Sequence, residues 1–83
     1  MSDNPLLTSL MEELDEHLQL TLVGERRDAS LPRKAEREAR AWLMRRGHAN
    51  ARVVAALDGA GVAVEVILPQ GPPRVRAVVV RVG

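Results

Sequence analysis

The chain contains no cysteine, no phenylalanine and no tyrosine, and Trp42 is its single aromatic residue. Without cysteine there is no disulfide framework, no thiolate ligand for zinc or iron, and no thiol nucleophile. Without Phe or Tyr the core must come from Leu, Val and Ala, each of which buries less than the roughly 150–250 Å² of an aromatic side chain. In small domains, burial at roughly 25 cal/mol per Å² barely balances an ordering cost of roughly 1.5 kcal/mol per residue. A chain of 83 residues is long enough for one such core, so one domain over residues 1–83 is expected. Self-association would supplement so light a core.

Basic residues are also missing from the start: the first is Arg26, and no uncharged run exceeds eight residues. A secretory signal opens on a basic stretch, and a membrane-spanning helix needs about 20 apolar residues. A cytoplasmic protein without a membrane partner is therefore expected. What is present is an electrical asymmetry. Residues 1–25 hold six acids and no base, a charge of −6, whereas residues 26–83 hold all 12 Arg and Lys against five acids, a charge of +7.

The fold class predicted is α+β, with two N-terminal helices packed on a three-stranded antiparallel β-meander. Asn4 followed by Pro5 has the form of a helix start. Leu6, Leu7, Leu10, Met11, Leu14, His17, Leu18, Thr21 and Leu22 recur at helical spacing, so the first helix covers residues 5–22. Leu20 breaks that pattern, and alternation of Leu18, Leu20 and Leu22 supports a rival reading as a short strand. A second helix over residues 31–46 has Ser30 as its cap, Pro32 in its first turn and Gly47 as its stop. Leu31, Ala35, Ala39, Trp42 and Leu43 form its apolar side. Arg45 and Arg46 suit the negative end of its dipole.

From residue 51 the period becomes two. Strands over 51–57, 62–68 and 74–82 are separated by the turn at Asp58-Gly59-Ala60-Gly61 and by Pro69-Gln70-Gly71-Pro72-Pro73. With Gly59-Ala60 as the tip, Leu57 faces Val62, Ala55 faces Val64 and Val53 faces Val66. One sheet face is then wholly apolar. The other carries Val54, Ala56, Ala63, Ile67, Val75, Ala77 and Val79, with only Arg52 and Glu65 charged. An antiparallel sheet with one wet face normally alternates apolar with polar, so both faces require cover. The helices take one face each, or both take one and a second subunit takes the other. The run Val78-Val79-Val80 between Arg76 and Arg81 is a candidate pairing edge.

Catalytic patterns are weak. His17 lies in the apolar stripe of the first helix and reads as a partly buried, hydrogen-bonded side chain. His48 follows a helix C-terminus, and neither stands near a nucleophile-elbow serine. Glu13 and His17 share i, i+4 spacing but belong to different helix faces, and no third metal ligand is indicated. A nuclease hairpin would join Asp58 and Glu65 to a lysine, but Ile67 occupies that place. Glu65 reads instead as the cross-strand partner of Arg52. The glycine-containing segments are turns between strands, not phosphate loops. No catalytic residue, metal or cofactor is expected.

Binding classes remain. Arg33, Lys34, Arg37 and Arg40, with Arg26 and Arg27 upstream, form a basic helical stripe that could contact successive phosphates. Glu36 and Glu38 are placed to pair with Arg40 and Lys34. Glu12, Glu13, Asp15 and Glu16 form a candidate acidic docking face, and Val54, Ile67, Val75 and Val79 a candidate self-association surface. The expected function is a small non-enzymatic interaction module that forms a homo-oligomer or binds another protein, as an adaptor or regulator. The alternative is a nucleic-acid-associated protein.

Overall fold

The computed structural model describes the backbone of residues 5–59, 61–69 and 74–81 and the side chains of residues 9–59 and 61–69. The cap expected at Asn4, the connection at 70–73 and the strand end at Val82 lie outside the described residues.

Helix α1 spans Pro5–Thr21, and the Leu22 N–H still donates to the Leu18 carbonyl at 2.9 Å. Leu18 and Leu22 are buried, at 0 and 2% exposure, while Leu20 is 77% exposed. A strand would have put all three leucines on one face, whereas a helix separates Leu20 from the other two. The rival strand reading is therefore excluded.

Helix α2 spans Leu31–Arg45, and its buried residues are Leu31, Ala35, Ala39, Trp42 and Leu43, the set expected from its periodicity. Its beginning differs from expectation. Ser30 occupies the cap position but makes no side-chain capping bond: its backbone is itself helical, at φ −87° and ψ −15°, where a capping residue needs a non-helical conformation, and its hydroxyl donates to Asp28 Oδ1 at 2.6 Å. The Ser30 N–H donates to the same oxygen at 2.9 Å. The end is as expected: Gly47 has φ +84°, the His48 N–H donates to the Leu43 carbonyl at 2.8 Å and the Gly47 N–H to Met44 at 3.1 Å. This pair of bonds is the Schellman arrangement, which needs a left-handed residue after the helix.

Strands β1 (Arg52–Asp58) and β2 (Gly61–Leu68) form an antiparallel hairpin with Val53 opposite Val66, Ala55 opposite Val64 and Leu57 opposite Val62. The helices pack on this antiparallel two-stranded hairpin, the part of the expected meander whose side chains are described. The backbone of β3 (Arg74–Arg81) runs antiparallel beside β2, giving the order β1-β2-β3.

Helix α2 lies across β1 and β2, and α1 lies beside α2 and near the backbone of β3. Val53, Val62, Val64 and Val66 are buried beneath them with Leu14, Leu18 and Leu43. These valines share one sheet face, so both helices cover the same side. Their cover stops short of the hairpin tip, where Leu57 is 42% exposed. The class is α+β. No helix among the described residues is long and apolar enough to cross a membrane.

Candidate interaction surfaces

The face of the hairpin turned away from the helices presents Arg52, Val54 and Ala56 on β1, opposite Ile67, Glu65 and Ala63 on β2. Val54 is 53% exposed, Ala56 is exposed, and Ala63 and Ile67 are half-buried. The register corrects one expectation: Arg52 stands opposite Ile67 and Glu65 opposite Val54, and Arg52 and Glu65 form no ion pair among the described residues. The two charges occupy one diagonal of a four-residue square, and Val54 and Ile67 occupy the other. Val75 and Val79 stand at the backbone positions opposite Ile67 and Ala63; their side chains lie outside the described residues.

The basic stripe is partly neutralised. Arg33, Lys34, Arg37 and Arg40 are all exposed, but Lys34 Nζ donates to Glu25 Oε1 at 2.6 Å and Arg40 Nη2 stands 3.6 Å from Glu36 Oε2. The Glu36 pairing is the expected one. Lys34 pairs with Glu25 rather than Glu38, because the loop before α2 brings Glu25 back against that helix. The hydrogen bond to Glu25 holds the Lys34 ammonium above its ordinary value. Arg33 and Arg37, one helical turn apart, have no acidic partner among the described residues.

The acidic face of α1 is divided in the same way. Glu12 and Glu16 are exposed, and Asp15 accepts a bond from Gln19 Nε2 at 3.1 Å. Glu13 reaches across to α2, where Arg46 Nη1 donates to its Oε1 at 2.7 Å. The Arg46 guanidinium also lies 4.4 Å from the centre of the Trp42 ring, a cation–π distance. His17 also stands near Trp42, 6.2 Å between ring centres, and its Nε2 is 3.6 Å from Glu38 Oε1. The Thr21 hydroxyl donates to the His17 carbonyl at 2.7 Å. These side chains join α1 to α2 at the rim of the core. Sequence reasoning gave Arg46 to the helix dipole; the signal missed was its position four residues after Trp42, the spacing at which a guanidinium reaches back over a ring.

His48 lines a shallow hollow with Gly47, Asn50, Ala51, Leu68 and Pro69, among which it is the one titratable side chain.

No family model, curated protein or solved structure matches the chain. Function must be argued from these surfaces. Of the three, the outer sheet face groups several apolar side chains, Val54, Ala56, Ala63 and Ile67, around two charges that have no partner among the described residues, whereas the acidic face of α1 adds Leu20 to its carboxylates. The acidic and basic helix faces spend Glu13, Lys34 and Arg40 on contacts within the chain.

Proposed function

We propose that this protein is a non-enzymatic interaction module that self-associates through the outer face of its sheet and acts in protein assembly as an adaptor or regulator. One observation carries the reading: both helices lie on the same side of the hairpin, so Val54, Ala56, Ala63 and Ile67 have no helix over them. Contiguous exposed apolar area of this kind marks interaction sites in monomers. A second copy is the natural occupant, because a face carrying one positive and one negative charge complements itself and suits a two-fold interface. Light scattering tests this. The wild-type chain is expected to run as a dimer, and Val54→Lys as a monomer with unchanged helical circular dichroism. A wild-type chain that stays monomeric at high concentration overturns the proposal.

A nucleic-acid reading rests on Arg33 and Arg37, the stripe members without an acidic partner among the described residues. It is the weaker reading, because stable duplex binders typically neutralise about 6–10 phosphates.

A further inference from the structure

We infer that two copies pack outer face to outer face about a two-fold axis along the Val54–Ile67 diagonal, so that Arg52 of each copy meets Glu65 of the other. The inference rests on the self-association reading and adds the partner contacts. The register supplies it: Arg52 opposite Ile67 and Glu65 opposite Val54 make a square with like chemistry on each diagonal. Strands lie about 4.8 Å apart and rise about 3.3 Å per residue, so the corners of a diagonal are roughly 7–8 Å apart.

A two-fold rotation about a line in the interface plane leaves points on the line in place and exchanges points on either side. With the line along Val54 and Ile67, each of these side chains packs against its own copy. The position of Arg52 is exchanged with one close to Glu65, so two ion pairs form at opposite sides of an apolar centre. The axis along the other diagonal sets Arg52 against Arg52 and Glu65 against Glu65 of the second copy, which like-charge repulsion disfavours, and axes along or across the strands set each charge against Val54 or Ile67, where it has no opposite charge to meet. The strands of the two sheets then cross at roughly 70°, close to the orthogonal class of sheet packing. Arg52 and Glu65 are exposed in the single chain, so substituting them leaves the core untouched.

The test is charge exchange, read by sedimentation with circular dichroism to confirm folding. Arg52→Glu alone and Glu65→Arg alone each set like charges together twice, and each is expected to weaken the dimer by about a hundredfold. Mixing these two variants in equal amounts restores both attractions across the interface, and a heterodimer of near wild-type affinity is expected. The double variant Arg52→Glu/Glu65→Arg should also recover as a homodimer. Single variants that dimerise like wild type overturn the arrangement while leaving self-association standing. Single variants that dissociate and are not rescued by mixing overturn it too, because the charges then act within each chain. A wild-type chain that is monomeric overturns both readings.

Discussion

Leu14 and Leu20 lie six residues apart on one helix and have opposite surroundings, 0 and 77% exposed. Leu14→Ala removes a side chain from a close-packed core and is expected to cost about 2–5 kcal/mol. Leu20→Ala should change stability by less than about 0.5 kcal/mol. Urea unfolding of both variants measures the contrast, and equal losses would contradict the burial pattern. Asp28 supplies a pH-dependent prediction. The Ser30 hydroxyl, then the Ser30 N–H, hold its carboxyl below the ordinary value of 3.8. A depressed folded-state value means that the charged form is favoured by folding. Its contribution is therefore present above pH 3.8 and lost as pH falls through the folded value. Ser30→Ala should move the Asp28 carboxyl titration, followed by NMR, back upward. Lys34 has the opposite sign: held above 10.5 first by its hydrogen bond to Glu25, it contributes fully below that pH and loses the contribution as pH rises through the folded value.

At the scale of elements, the end of α2 depends on one backbone conformation. A Cβ at Gly47 would meet nothing within 4 Å, yet φ is +84°, so Gly47→Ala carries a conformational cost and no clash. It is expected to lower the free energy of unfolding by about 1–2 kcal/mol, read from the denaturation midpoint. The helices and the β1–β2 register were legible in the sequence because period and turn chemistry are local. Leu31, Ala35, Ala39, Trp42 and Leu43 recur at helical spacing, and Gly59 marks the turn. The links between helices were not legible. Glu13 and Arg46 are 33 residues apart, and their meeting depends on how two helices cross on a sheet, which no local pattern encodes. Ser30 failed for a different reason: a hydroxyl at a cap position can turn its oxygen to accept from a first-turn N–H or donate to a nearby carboxylate, and here it donates to Asp28.

For the whole molecule, the surplus apolar sheet face was visible in the sequence as Val54, Ala56, Ala63 and Ile67, but which face the helices would cover was not. Amphipathic helices and a two-sided apolar hairpin are compatible with either arrangement, and packing decides between them. The same scale limits the phosphate reading. With Arg33 and Arg37, and at most Arg26 and Arg27 beside them, duplex binding should show a log–log salt slope of only about −2 to −4. Fluorescence anisotropy against a labelled duplex measures it, with the double variant Arg33→Ala/Arg37→Ala flattening the slope. A slope near −8 would require a larger basic surface than this one.

Trp42 is the sole source of strong ultraviolet emission in a chain without tyrosine or phenylalanine. It lies 5% exposed at the α1–α2 seam, on the helix side of the sheet and remote from the outer face. If two copies associate as proposed, separating them leaves the indole in the same surroundings, whereas lifting α1 away admits water and shifts its emission to the red. Should the wild-type chain prove dimeric, a monomeric Val54→Lys chain whose spectrum is unshifted has lost its neighbour and kept its own interior.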